Sequence, residues 1–389
     1  MAIDRIFLYP FQHPRMNPLR RERRLAPLFV FVVALLARTA YWLYRGTAVG
    51  ADTSGYLRAC EVLATEGPIA FAFGHKGILY SGFTIPLCGV LSIPGATFGL
   101  WVAFQILLAS FGSVLIYKIG TELVDRQTGI LSGLAMAVLW DTFQWDVYVL
   151  SDSLFTFGMV LALGALAWHH REGTIASRVA VFATMGYLLI SRPHGFPIVM
   201  GWVLYDLLPR GDQRRLGLFS TRWIPLLGGT SVVAVIPYAV QRYNLLDVWQ
   251  SGELIIYESE YAYPYVSEAT GGTVGFVLSN LHHLLVMGIL KTGLFFIPAL
   301  PRHSAIHIGI NLVTYLPITA IGFVGLARAW KNDFHLFRMW ATPVIVLIGI
   351  TAVTFVSWDL RYRAALGPAF ALAFGYAVAT ILPLGDTDD

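Results

Sequence analysis

Residues 17–44 read NPLRRERRLAPLFVFVVALLARTAYWLY, a cluster of arginines followed at once by an apolar run. From residue 26 to residue 44 the only charged side chain is Arg38. At ~1.5 Å per residue, such a run reaches across the ~30 Å hydrocarbon core of a bilayer. A cleaved signal peptide has a shorter apolar core and a small-residue cleavage site, so the run is read as an uncleaved first membrane helix. Arg20, Arg21, Arg23 and Arg24 put its start on the cytoplasmic side, because positive residues are retained there.

The rest of the chain agrees with that opening. It has 389 residues, of which 56% are hydrophobic and 13% charged, with mean hydropathy +0.64. Soluble domains carry about 25% charged residues, so this chain holds more apolar surface than one water-soluble core can hide. The expected fold class is an all-α polytopic membrane protein. The net charge of +4 comes from basic clusters between apolar runs, which set topology, so nucleic acid is excluded as a partner. Cys60 and Cys88 supply neither a disulfide framework nor metal-ligand spacing, and a bridge between them is the less favoured reading.

Apolar runs of helix length at 26–44, 97–117, 128–145, 153–169, 176–191, 195–209, 222–240, 305–327, 339–357 and 364–383 are the expected spans. No internal repeat or soluble domain is visible. The organisation is a cytoplasmic arm (1–25), one transmembrane domain (26–383) and a cytoplasmic tail (384–389). Lys118, Arg126, the HHRE run at 169–172, the basic run 209–215 and the run 327–332 all fall on the cytoplasmic side if stretch 78–95 does not fully cross. That stretch contains Gly82, Pro86, Gly89, Pro94 and Gly95, and an interrupted segment can re-enter where protein covers its loose backbone groups. Stretch 282–300 is a second such element; if both cross, the spans number twelve rather than ten. Loops 45–96 and 241–304 then face outward.

That outer side collects the ionisable residues: Asp52, Tyr56, Arg58, His75 and Lys76; Asp141, Asp146 and Asp152; Arg192 and His194; Arg242; and Arg361, Tyr362 and Arg363. Arginine is normally depleted there, and a site for an anionic ligand explains its return, since the guanidinium fork matches phosphate oxygens two at a time. Each residue also has a plainer reading. Asp52 could cap the helix that DTSGYLRACEVLA begins, and Ser151 or Asp152 could cap the next one. Arg192, Arg361 and Arg363 could be interfacial anchors. Tyr257, Tyr261, Tyr263 and Tyr265 could form an aromatic belt or a stacking surface for a sugar or lipid. His169 and His170 have no metal-site spacing and read as solvated. Lys291 could mark a site or reach a headgroup. Asp152 opposite Asp52 is also what a divalent metal would need, although the sequence requires none.

These segments, in this order, resemble the GT-C superfamily of membrane glycosyltransferases, in particular the protein O-mannosyltransferase and lipid A aminoarabinose transferase-like branch. The resemblance rests on LLARTAYWLYRGTAVGADTSGYLRACEVLATEG (35–67), with Arg38, Asp52, Tyr56 and Ala59 at the family's steps. It continues through GHKGILYSGFTIPL (74–87), VYVLSDSLFTF (147–157), LLISRPHGFPIVM (188–200) and LRYRAALGPAFALAFGYA (360–377). It implies a GT-C type bundle of about 10–12 helices with juxtamembrane helices in the first outward loop. It also implies transfer of a sugar from a polyprenyl-phosphate donor to a glycan, lipid or protein acceptor, with Asp52 in the place of the catalytic base. In that scheme Arg192, Arg361, Arg363 and Arg242 hold the lipid phosphate. Tyr56, Arg58, His75, Lys76, Asp152, His194 and Tyr362 line the substrate pocket. The alternatives are a lipid-linked glycan ligase or polymerase without this fold, a multi-span transporter, or a membrane scaffold without activity. A transporter would place its charges on broken helices near the midplane of two related halves, a pattern the sequence lacks.

Overall fold

The computed structural model describes residues 18–207, 275, 278–298, 303–353 and 361–382. The expected span 222–240, Arg242, Asp359, the tyrosines of 257–265, the residues before 18 and the tail 384–389 lie outside them.

The chain is an all-α polytopic membrane protein. The helices, in order, are α1 (Pro18–Arg45), α2 (Thr53–Thr65), α3 (Pro68–Phe73), α4 (Ser81–Leu91), α5 (Phe98–Leu123), α6 (Arg126–Val138), α7 (Trp140–Phe143), α8 (Asp152–Glu172), α9 (Ile175–Leu189) and α10 (Gly195–Leu207). After the gap come α11 (Leu281–Phe295), α12 (Ala305–Asn332), α13 (Phe334–Val353), α14 (Arg361–Ala364) and α15 (Gly367–Ile381). Stretches within α1, α5, α8, α12 and α13 are long and apolar enough to cross a membrane. Helices α9 and α15, at 15 residues each, reach only ~22 Å.

Hydrophobic side chains decide which face of α1 meets lipid. Leu25, Leu28, Phe29, Leu36 and Leu43 are exposed, whereas Val30, Ala34 and Arg38 are fully buried. The spacing of four residues puts those three on one stripe facing the bundle. The packed centre is made by α5, α6, α8, α12 and α15. Small residues let the backbones approach, as expected where lipid gives no hydrophobic drive between helices. A Cβ on Gly325 of α12 would lie 1.9 Å from the Ala373 carbonyl oxygen of α15, so this crossing requires glycine.

Local chemistry ends the helices. Asp125 accepts from the Thr128 amide to cap α6, Thr174 caps α9 through Ser177, and Ser304 caps α12 through His307. Gly173, at φ 61°, closes α8 in a left-handed turn. The expected span 128–145 is shorter than its apolar run suggests. Helix α6 stops at Val138, and 139–147 folds into α7 and a 3-10 turn that carry Asp141 and Asp146 inward. Helix α12 contains a π-helical turn at Asn311–Tyr315 that the sequence pattern does not show. Stretch 78–95 forms α4, whose 11 residues extend only ~16 Å.

The helix ends sort into two groups. At one end lie the C-termini of α1, α6, α9 and α11 and the N-termini of α8, α10 and α15, joined by contacts such as Asp52–Arg361, Asp152–Arg192 and Arg363–Phe295. At the other end Arg171 of α8 pairs with Glu122 of α5, and the ring of His170 lies against that of His335 of α13. His169 departs from expectation: it is buried, and its Nδ1 lies 2.9 Å from the Ser177 hydroxyl. Lys291 is buried within the bundle rather than reaching outward to a headgroup.

The cysteines also correct the sequence reading. Cys60 of α2 and Cys88 of α4 form a disulfide, with Cα atoms 5.4 Å apart and a sequence separation of 28. The helical turns that bring them together are invisible to spacing alone. Cys60→Ser with Cys88→Ser is expected to lower unfolding free energy by about 2–4 kcal/mol, the usual range for a loop of this length. Thermal unfolding in detergent, with and without reductant, reads the effect. Reductant should shift the wild type and leave the double variant unchanged.

Candidate functional site

The stretch GADTSGYL (50–57) is tied down from several sides. The Ala48 amide donates to Val147 O at 2.9 Å, and the Val149 amide donates back to Ala48 O at 2.9 Å. The Thr53 hydroxyl donates to Val149 O at 3.0 Å. Gln105 of α5 donates to both Asp146 O and Tyr148 O, fixing the facing segment. Asp52 therefore opens α2 from a rigid mount.

Asp52 sits at the N-cap position, yet its carboxylate makes no capping hydrogen bond. Its oxygens go elsewhere. Lys76 Nζ donates to Oδ1 at 2.9 Å, and Arg361 Nη1 donates to Oδ2 at 3.0 Å across 309 residues of chain. Burial pushes this carboxyl up, but Lys76 and then Arg361 outweigh burial, and the group titrates below its ordinary range. Lys76 is itself held in a left-handed backbone conformation (φ 58°), the only such non-glycine among the described residues. Its ammonium lies 4.3 Å from the Tyr80 ring centroid and 5.2 Å from that of Tyr56.

Beside this pair lies a small cleft, lined by Asp152, Phe155, Thr156, Arg192, His194, Leu347, Arg361, Tyr362 and Ala365. Arg192 is buried and its Nη1 meets Asp152 Oδ1; its guanidinium also lies 5.2 Å from the Tyr362 ring centroid. Burial lowers the Arg192 pKa, but the Asp152 carboxylate together with Tyr362 and Tyr56 raises it by more, so the charge is secure. The His194 ring lies tilted against that of Tyr362, centroids 4.1 Å apart. Burial, then the charges of Arg192 and Arg361, hold its pKa well below the ordinary value, so the imidazole is neutral. Its buried Nδ1 has no hydrogen-bond partner, and neither has Arg192 Nε.

The turn that carries Arg192 is fixed to the first loop through α4. The Gly82 amide donates to Ile190 O at 2.8 Å, and a Cβ at Gly82 would lie 2.3 Å from Ser191 Oγ. The disulfide ties α4 to α2, so Asp52 and Arg192 share one scaffold.

Asp52, Lys76, Arg192, His194, Arg361, Tyr362 and Asp152 are thus brought together. Tyr56 is a buried wall behind Lys76, its hydroxyl 3.1 Å from that of Ser151; burial pushes its phenol up, so it stays protonated. Arg58 and His75 are exposed, and neither lines the cleft. Arg363 is a correction to the sequence grouping. Its Nε and Nη2 donate to both Asp141 oxygens, its Nη1 donates to the Phe295 and Ile297 carbonyls, and the side chain is buried over Tyr315. It ties α14 to α7 and α11 and has no fork left for a phosphate. Asp146 is likewise occupied, by Arg38 and the Ser153 hydroxyl. Sequence reasoning had no signal for these pairings, whose partners lie 222 and 108 residues apart. Among the described residues no three His, Cys, Asp or Glu side chains gather as metal ligands would.

No family model and no curated protein matches the chain. Among solved structures, it is similar to the archaeal oligosaccharyltransferase AglB from Archaeoglobus fulgidus, determined in complex with an inhibitory peptide and a dolichol-phosphate. The TM-score is 0.54 and the identity 14%, with 92% of this chain and 50% of that chain covered. This chain therefore spans about half the length of the protein it resembles, and what the likeness shows is a shared all-α membrane-protein fold.

Proposed function

We propose that this chain is a membrane glycosyltransferase that moves a sugar from a polyprenyl-phosphate donor to an acceptor hydroxyl on the outer face of the membrane. The observation that carries the reading is Arg361, which reaches from a cleft it shares with Arg192 to the carboxylate of Asp52. One guanidinium thus joins a place suited to an anion and a group suited to a proton. In a single inverting displacement the acceptor O–H gives its proton to Asp52, the acceptor oxygen bonds to the anomeric carbon, and the bond from that carbon to the phosphate oxygen breaks. Arg192 and Arg361 stabilise the charge that collects on the leaving phosphate. Neutral His194 and Tyr362 face the same cleft and would contact donor or acceptor.

Two further points support the reading. AglB, with the same fold, is seen with a dolichol-phosphate, a lipid phosphate of the class proposed here. A disulfide in the first loop suits an oxidising compartment, which supports a reading with that loop and the site outside the cytoplasm. Both termini are then cytoplasmic.

The test is release of polyprenyl phosphate from a polyprenyl-phosphate-linked sugar by purified protein in detergent, with cell-envelope glycan, lipid or protein offered as acceptor. Arg192→Lys, which keeps the charge but loses the fork, is expected to reduce turnover by roughly tenfold or more. With Asp52 held below the ordinary carboxylate range and His194 well below its own, the wild-type rate should be flat from about pH 5.5 to 8. A step near pH 6.5 would assign the base to a histidine instead. If Asp52→Asn and Arg192→Lys proteins unfold like wild type and keep full turnover, the proposed mechanism is wrong.

A further inference from the structure

Each oxygen of Asp52 accepts a hydrogen bond from a cation, which weakens it as a base toward an acceptor's proton. The two partners that engage it differ. Lys76 is fixed by its turn and by two tyrosine rings. Arg361 comes from the far end of the sequence, donates to Asp52 through one nitrogen, Nη1, and also lines the cleft. Arg192 in the same cleft is anchored on Asp152 and on the Tyr362 ring, so it stays in place when a ligand arrives.

We propose that Arg361 is a latch, held on Asp52 when the cleft lacks donor and drawn onto the donor's phosphate when the lipid binds, which frees Asp52 Oδ2 for the acceptor's proton. This rests on the proposed function and adds to it an order of events: the base becomes competent only after the donor is seated. The step exchanges the hydrogen bond to Asp52 for contacts to phosphate and changes no covalent bond. Its direction follows from geometry. Lys76 already occupies Oδ1, so Asp52 offers the guanidinium a single oxygen, whereas a phosphate offers two for the fork. Lys76 keeps the freed carboxylate ionised and aimed.

The latch makes Asp52 and the donor phosphate competitors for one arginine. Removing the carboxylate should therefore tighten phosphate binding even as it abolishes chemistry. The experiment measures binding of a short-chain polyprenyl phosphate to four purified proteins in detergent: wild type, Asp52→Asn, Arg361→Gln and the double variant. Asp52→Asn is expected to bind roughly two- to fivefold more tightly than wild type, the upper part of the range a partly exposed ion pair supplies. In the Arg361→Gln background the same change should alter affinity less than about twofold, because the competition is gone. Asp52→Ser serves in the same cycle if the asparagine variant does not fold.

An unchanged or weaker affinity in Asp52→Asn overturns the latch while leaving the proposed function standing. A gain of equal size in the Arg361→Gln background also overturns it, since that gain would be long-range charge relief rather than release of Arg361. If folded wild type binds no polyprenyl phosphate, both the latch and the proposed function fall.

Discussion

Asp52→Asn is expected to lower the rate of sugar transfer by about two to four orders of magnitude and to leave the fold intact, the loss associated with removing a positioned general base. The amide cannot take the acceptor's proton at any pH used by a cell. The fold should survive because the asparagine carbonyl can still accept from Lys76, and because the Asp52 side chain is 31% exposed, so the cations left behind can be hydrated. Initial rates at saturating donor, set beside thermal unfolding of the same preparations, separate the two effects. A variant within about threefold of wild type would remove Asp52 from the chemistry and return it to a structural role.

The largest effect on stability is expected at a residue remote from the cleft. Arg38→Ala should lower unfolding free energy by about 3–5 kcal/mol, the cost of breaking a buried ion pair from one side. Arg38 is fully buried on α1, donates from Nε to Asp146 at 2.9 Å, and reaches the Ala34, Ala137 and Met136 carbonyls. Two of those carbonyls belong to the end of α6, so one side chain both closes a helix and neutralises the turn after it. Alanine would leave Asp146 buried without its cation and held by Ser153. The control is Arg38→Met with Asp146→Leu, which removes both charges and should recover much of the loss. Denaturant unfolding in detergent reads all three proteins. Equal losses in the single and double variants would mean that packing, not charge, is what Arg38 provides.

Legibility in the sequence tracked chain separation. Helices and their polar ends could be read because hydrophobic run length and arginine clusters are local. The grouping of Asp52, Arg192 and Arg361 was legible only indirectly, through the rule that helix ends alternate sides. What could not be read is which arginine meets which aspartate. Arg361 and Arg363 are two residues apart and look equivalent, yet one lines the cleft and the other is locked onto Asp141. A short helical turn sends them to different partners, and no composition or periodicity encodes that choice. The disulfide was missed for the same reason, since Cys60 and Cys88 meet only after α2 and α4 have packed. The capping role expected of Asp52 failed more instructively. Aspartate favours N-caps because backbone amides are the usual donors nearby, and here two cations are better ones.

The left-handed turn at Lys76 has a consequence for how this protein can change. Glycine would sit there without strain and asparagine with little, but neither carries a charge. A cation aimed at Asp52 and a relaxed backbone cannot both be had at this position. Substitutions that make the first loop sturdier at residue 76 therefore lead away from the site, and robustness and activity pull in opposite directions there.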